Sequence, residues 1–383
     1  MVRLCARVIV VLSMLVVAGT SVAAAPPDPV ADNAALHYWR AFSVIPNLSD
    51  AQDAAVDQLL DKLGPANALA SGAIAGSSAA MKELHRGAKS PRCVWATPLE
   101  DGPAALLPHC GKARQLARLA CARAHLNFQL GRPAEAIDDL ADAMTLGRHA
   151  GNEGILVAVL VDYAIEARAI RVAARHLGEL KPADLQDLAA RIERLPPATT
   201  MRRAMQSEKQ WLLEWLIQNL SDPAKKGTSA TMLRDLVDSD DTNLKALSGV
   251  PPKQVRDGAI ALRPIYDQVA DMMDLPPAQM KDPESLLAGL SPTARSLGMG
   301  LLPAAMKCRQ REVDHQTQLA MFKAAIAVVR GGPGELKAES LKDPFAGGPF
   351  SYEKTAGGFR LVSKTLDREG KPLTLEVGRT AKQ

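Results

Sequence analysis

Signals that open and close helices recur along this chain at roughly helix-length spacing, and they constrain its fold more than any other feature. Ser49-Asp-Ala-Gln52 is a capping box, in which the serine hydroxyl and the glutamine amide each satisfy a backbone N–H of the other residue. Gly64-Pro65 stops the helix that it opens. Pro133 and Pro182 stand at helix-opening positions, where the fixed φ of proline is already helical. Pro196-Pro197, Pro276-Pro277 and Gly331-Gly332-Pro333-Gly334 are breaks. Helices are predicted over about 29–48, 50–63, 66–86, 112–130, 133–149, 153–178, 182–194, 199–220 and 256–273. A short one falls near 229–238, and a long one, kinked at Pro303, spans 292–329. Composition points the same way. The chain is 47% hydrophobic but only 4% aromatic, with alanine and leucine dominant, and those two are the best helix formers.

The last 50 residues read differently. Phe350–Lys354 and Phe359–Thr365 alternate around Ala356-Gly357-Gly358, a hairpin signal, and Leu373–Val377 offers a third strand. The expected fold is therefore mainly α: irregularly stacked antiparallel helical hairpins over 29–330, with a small antiparallel β element in 331–383.

The N-terminus reads as a secretory signal over residues 1–24. Arg3 and Arg7 precede an apolar run from Val8 to about Gly19, followed by Ser21-Val-Ala-Ala-Ala25. Cleavage is expected after Ala23 or Ala24, because Pro26 fits poorly just past a scissile bond. The expected compartment is periplasmic or extracellular, with no transmembrane segment after cleavage. An uncleaved anchor is the competing expectation. Cys5 leaves with the signal, so Cys93, Cys110, Cys121 and Cys308 remain, an even number for an oxidising compartment. Of the three pairings, Cys93–Cys110 is favoured, because it would staple the Pro/Gly-rich loop between them. The net charge of +4, without a basic stripe, excludes a nucleic-acid footprint.

Three resemblances follow from local motifs. The segment 112–149 turns at Gly131-Arg-Pro133 and carries Ala124, Ala136 and Ala143 at small-residue spacing. It resembles one tetratricopeptide unit, which implies a close antiparallel hairpin; no second copy follows at that period. Asp343-Pro-Phe345, Gly347-Gly-Pro-Phe-Ser-Tyr352 and Gly358-Phe-Arg-Leu-Val-Ser363 resemble the tail of type II secretion pseudopilins, which implies a helix feeding a small sheet. The pseudopilin leader, assembly helix and acidic calcium loop are missing from this sequence, so neither pilus assembly nor calcium binding is implied. The layout as a whole, with Asn33-Ala-Ala-Leu-His-Tyr38-Trp39, Cys93-Val-Trp95 and that tail, is similar to uncharacterised exported helical proteins of planctomycete-like bacteria.

Candidate chemistry is sparse. Asp162 and Glu166, four apart beside an apolar run, could do acid/base work if burial raises one pKa, or could pair with Arg168, Arg171 or Arg202. Glu312-Val-Asp-His315 is a single Glu-x-x-His, where a di-iron bundle needs two, and a solvated helix face is expected. Cys121 and His125 could share a zinc ion at i, i+4, although a core cysteine and a surface histidine are expected. Asp238-Ser-Asp-Asp-Thr-Asn243 suggests a calcium loop but lacks its glycine and glutamate. Trp211 and Trp215 are expected in the core rather than in a ligand groove. No catalytic, cofactor or metal site is assigned. The leading expectation is a non-enzymatic exported scaffold that binds a protein or peptide. An envelope-associated hydrolase or metal-dependent enzyme, with a pocket gathering Asp162 and Glu166, is the first alternative. An accessory partner of a secretion or pilus system is the second.

Overall fold

The computed structural model describes residues 32–222, 241–247, 249–276 and 279–379. The signal-peptide expectation, with its cleavage point, and the short helix near 229–238 lie outside these residues. The protein is mainly helical, with a three-stranded antiparallel sheet at its C-terminal end.

The helices begin and end where local chemistry asks them to. Helix α1 (Ala34–Ser43) starts at Asn33, whose Oδ1 accepts the N–H of Ala35. Helix α2 (Asp50–Lys62) carries the complete Ser49/Gln52 capping box. The small-residue stretch expected as one helix is two, α3 (Ala68–Gly76) and α4 (Ser78–Ala88), divided at Ser77. A 3₁₀ segment, Leu99–Ala104, interrupts the following loop.

Helices α5 (Pro108–Gln129), α6 (Pro133–Gly151) and α7 (Leu156–His176) form an antiparallel trio at the centre. The α5–α6 turn needs a left-handed residue, supplied by Gly131 at φ 71°. Ala124, Ala136 and Ala143 are fully buried between the two helices. Helix α8 (Pro182–Glu193) lies against α6, and α9 (Met201–Glu208) against α7. Helix α9 runs on through a π-helical turn, Lys209–Glu214, into α10 (Trp215–Ser221). After a one-turn α11 (Thr242–Lys245) come α12 (Pro252–Met272), a short α13 (Pro283–Leu286) and the 40-residue α14 (Pro292–Gly331). The backbone of α14 stays helical across Pro303. Helix α14 packs along α7 and α12, which carries the C-terminal part of the chain back to the central trio.

Strands β1 (Ser351–Thr355), β2 (Gly358–Leu366) and β3 (Pro372–Gly378) pair in sequence order. Leu361 faces Leu375 and Phe359 faces Val377, so alternate residues of β2 and β3 line one buried face. That face lies on α7 and α14, and its side chains belong to the same hydrophobic core as α1 to α8. A second core cluster gathers around α9, α10, α12 and the first half of α14.

The motif residues behind the resemblances make structural contacts. Asn33 pairs with the Val94 N–H (2.9 Å) and C=O (3.0 Å), which docks the start of α1 on the 92–95 segment. Trp95 then stacks on Tyr38, Phe42 and His109 and donates its indole N–H to the His149 carbonyl at 2.7 Å. Asp343 clamps the turn into the sheet by accepting the N–H groups of Phe345 and Ala346 and the hydroxyls of Ser363 and Thr365. Those four donors hold its carboxyl below the usual range against the opposing effect of burial.

Candidate functional site

Two sequence motifs that looked unrelated meet at the α7–α14 contact. The i, i+4 spacing puts Asp162 and Glu166 on the same face of α7, and that face is turned inward: both side chains are fully buried. Gly147 and Gly151 of α6 let α7 come close enough for this. A Cβ on Gly147 would stand 2.8 Å from Asp162 Oδ1. From the same turn of α6, Arg148 grips Glu166 with its Nε and, at 3.0 Å, with a terminal nitrogen. Arg148 replaces the partners expected from sequence. Arg171 turns to the Leu60 carbonyl, Arg202 pairs with Asp271 and Asp274, and Arg168 forms no ion pair among the described residues.

Glu312 and His315 on α14 are buried, not solvated as expected. Glu312 accepts the N–H of Met201 at 2.9 Å and so caps the start of α9, where a carboxylate also suits the helix dipole. Arg309 neutralises it while donating to the Leu275 carbonyl beyond α12. His315 Nε2 donates to Glu166 Oε2 at 2.8 Å. Its ring stacks on Tyr163 at 4.3 Å between centroids, and Tyr163 is itself fixed by donating to the Thr199 carbonyl.

The protonation of this cluster follows from its geometry. Neither oxygen of Asp162 meets a donor among the described residues. The group within hydrogen-bonding reach is the Glu166 carboxylate, which can only accept. A bond forms between them when Asp162 carries the proton. Burial, and then the Glu166 charge, push the Asp162 carboxyl well above its ordinary range, which keeps that proton in place. Burial also acts to raise Glu166, but His315 and Arg148 outweigh it and hold Glu166 ionised. The result is a neutral acid, a carboxylate, a guanidinium and an imidazole, in which Glu166 fixes the ring orientation of His315. Its second nitrogen, Nδ1, has no partner among the described residues.

His315 and Tyr163 form part of the wall of a cleft of about 520 Å³ between α7 and α14. Val157, Leu160, Ala164 and Ala167 of α7 give it an apolar side, and Arg114, Arg311, Asp314 and Gln318 a polar one. Arg114 and Arg311, like Arg168, form no ion pair among the described residues. A second cleft of about 380 Å³ shares Ala167 and Gln318 with the first and continues along α7 past Arg168 and Arg171 to β3.

The remaining candidates lie elsewhere. His125 is buried, not exposed as expected, and contacts the Gly64 carbonyl (2.8 Å) and His176 (2.9 Å), which in turn pairs with Glu179. Burial pushes His125 down to about 4. Cys121 lies in the core, and burial raises its thiol to about 12. Among the described residues no three His, Cys, Asp or Glu side chains converge on a metal-binding geometry. Cys93 and Cys110 are buried, unbridged thiols, pushed by burial up to about 12 and about 11. Asp241 caps α11 through the N–H groups of Asn243 and Leu244, while Asp238 to Asp240 lie outside the described residues. Trp211 and Trp215 are half-buried and border a groove. Sequence reasoning missed Arg148, Arg114 and Arg311; the small residues Gly147 and Gly151 flanking Arg148 were the available signal.

Comparison of the chain with protein-family models, with curated proteins and with solved structures finds no match to any of the three.

Proposed function

We propose that this chain is an exported binding protein whose α7–α14 groove takes an acidic, partly apolar peptide segment. One observation carries the reading: Arg114, Arg311 and Arg168, without ion pairs among the described residues and outnumbering the one lining carboxylate of the larger cleft, Asp314, flank an apolar strip of α7 that no other described element covers. From Val157 to Arg171 the strip spans about 21 Å at the helical rise, the length of roughly six extended residues. Apolar side chains of the peptide would lie on Val157, Leu160 and Ala164, with its carboxylates toward Arg114, Arg311 and Arg168. A charged guanidinium exposed in a groove is a point for electrostatic steering more than for raw affinity. Fluorescence anisotropy with a labelled peptide alternating glutamate and leucine tests this. Saturable binding that weakens with salt, and that falls at least tenfold in Arg114→Glu/Arg311→Glu, is expected. Equal binding of a lysine–leucine peptide would overturn it.

The acid/base alternative is favoured by a different observation: Glu166 orients the imidazole of His315 in the wall of the cleft, and its buried Nδ1 has no partner among the described residues. Such a ring can take a proton from a bound water or substrate hydroxyl. The lining among the described residues holds no serine, threonine or cysteine nucleophile, so water would be the attacking group. Hydrolysis of an acidic peptide or ester that His315→Ala abolishes, with binding retained, would replace the binding-only reading.

Export with cleavage near Ala23 or Ala24, and oxidation of the Cys93 and Cys110 thiols, unbridged in this structure, to a disulfide after export, belong to the same reading and rest on the sequence. So does the tetratricopeptide-like character of the α5–α6 hairpin, while an accessory partner of a secretion or pilus system, suggested by the tail alone, is a separate alternative.

A further inference from the structure

The π-helical turn between α9 and α10 borders a second groove, well apart in composition from the first. It measures about 610 Å³, within the ~300–1,000 Å³ range of small-molecule sites. A π-turn carries i→i+5 hydrogen bonds, is rare, and is frequent at functional sites. Two tryptophans line the groove, Trp211 from this turn and Trp215 from the first position of α10. Trp211 also packs on the main core and Trp215 on the second core, so the groove lies where the two clusters meet.

Trp215 is held in place before any ligand arrives. Its indole N–H donates to the Glu100 carbonyl at 3.0 Å, and its ring lies so close to Gly102 that no side chain fits there. Gly102 has φ 60°, a left-handed conformation that also favours glycine. The 3₁₀ segment 99–104 therefore exists in a form that clamps one indole. Polar groups complete the lining: Glu100, Glu153, Gln210 and Gln218. Glu153 is fixed by the N–H of Trp95 (3.2 Å) and the hydroxyl of Thr97 (2.5 Å). Among the described residues no lysine, arginine or histidine borders this groove.

We propose that this groove binds a small organic cation of the quaternary ammonium class. The electron-rich faces of two indoles attract a cation, tryptophan more strongly than the other aromatics. The carboxylates of Glu100 and Glu153, with no bordering cation among the described residues, add to that attraction and disfavour the anionic ligand suggested for the α7–α14 groove. A neutral sugar would use the same rings and amides but gain nothing from the carboxylates.

Calorimetric titration of the full-length protein with choline, and with its uncharged isostere 3,3-dimethylbutan-1-ol, separates these cases. Saturable choline binding with no measurable binding of the isostere is expected. Trp215→Phe keeps an aromatic face but weakens the cation contact, and should reduce affinity roughly three- to tenfold. Glu100→Gln, at the rim, should reduce it by a similar factor. Circular dichroism of each variant checks that the fold is kept. Equal binding of the isostere, binding of maltotriose without choline, or no choline binding by the folded protein would each overturn the proposal. Because Arg114 and Arg311 border the other groove, failure here leaves the peptide reading untouched.

Discussion

A fully buried carboxyl beside a fully buried carboxylate is stable only if one of them keeps its proton, and Asp162 is the one placed to do so. Arg148 and His315 both contact Glu166 and neither contacts Asp162. Asp162→Asn should therefore be close to neutral at acidic pH, because the amide N–H₂ replaces the acid O–H toward Glu166. A raised acid contributes stability that is present below its unfolded pKa and lost as pH rises toward its folded one. The variant, which cannot ionise, should then gain on the parent chain as pH rises. The same holds for Glu208, which burial pushes up to about 7 against the Leu156 N–H that it accepts. Glu208→Gln should gain about 3 kcal/mol on the parent between pH 4.5 and 7. Urea unfolding at pH 4.5, 6 and 7.5 measures both. A pH-independent difference would mean that neither acid is raised. Glu166→Gln is a different case: it removes the counter-charge of buried Arg148 and should cost about 3–5 kcal/mol at all three pH values.

Helix α6 shows how one element makes the site possible. Gly147, Arg148 and Gly151 occupy consecutive turns, so the helix yields space and supplies charge along the same edge. Gly147→Ala would normally improve a helix by up to ~1 kcal/mol. Here the added methyl meets Asp162 Oδ1 at 2.8 Å and the Ile165 side chain at 3.3 Å, and overpacking of this kind costs about 1–3 kcal/mol. A net loss in thermal stability is expected. A rise in melting temperature would show that α6 and α7 have room to separate. Caps were readable at this scale because they depend on neighbours in sequence, as the Ser49/Gln52 box does. The π-turn at 209–214 was not: residues 199–220 have ordinary helical periodicity, and the wider turn arises where the segment spans two cores.

At the scale of the molecule, the tail and the helices share one core. Phe350, Phe359, Leu361, Leu373, Leu375 and Val377 are buried in the cluster that begins at α1. Leu361 alone, fully buried, is worth about 1.5–3 kcal/mol. A chain ending at Gly331 should therefore lose its cooperative thermal transition. Retention of that transition, followed by circular dichroism, would make the tail an independent appendage. The Asp343 clamp gives the pseudopilin-like motif a physical meaning independent of any kinship: four donors converge on one carboxylate to fix the angle at which the sheet leaves the helix.

The sequence by itself determined what local interactions determine. It set the mainly helical class, most helix boundaries and the three strands with their hairpin, because propensity, capping and periodicity act over a few residues. It also marked Asp162, Glu166, Glu312 and His315 as polar residues on helices. Tertiary structure alone decided that Glu166 and His315, 149 residues apart, lie 2.8 Å from each other. It also decided that His125 and Glu312 are buried and that Arg148 is the partner of Glu166. Which face of a helix is buried depends on which distant helix covers it, and the desolvation that sets a proton's position follows only from that covering.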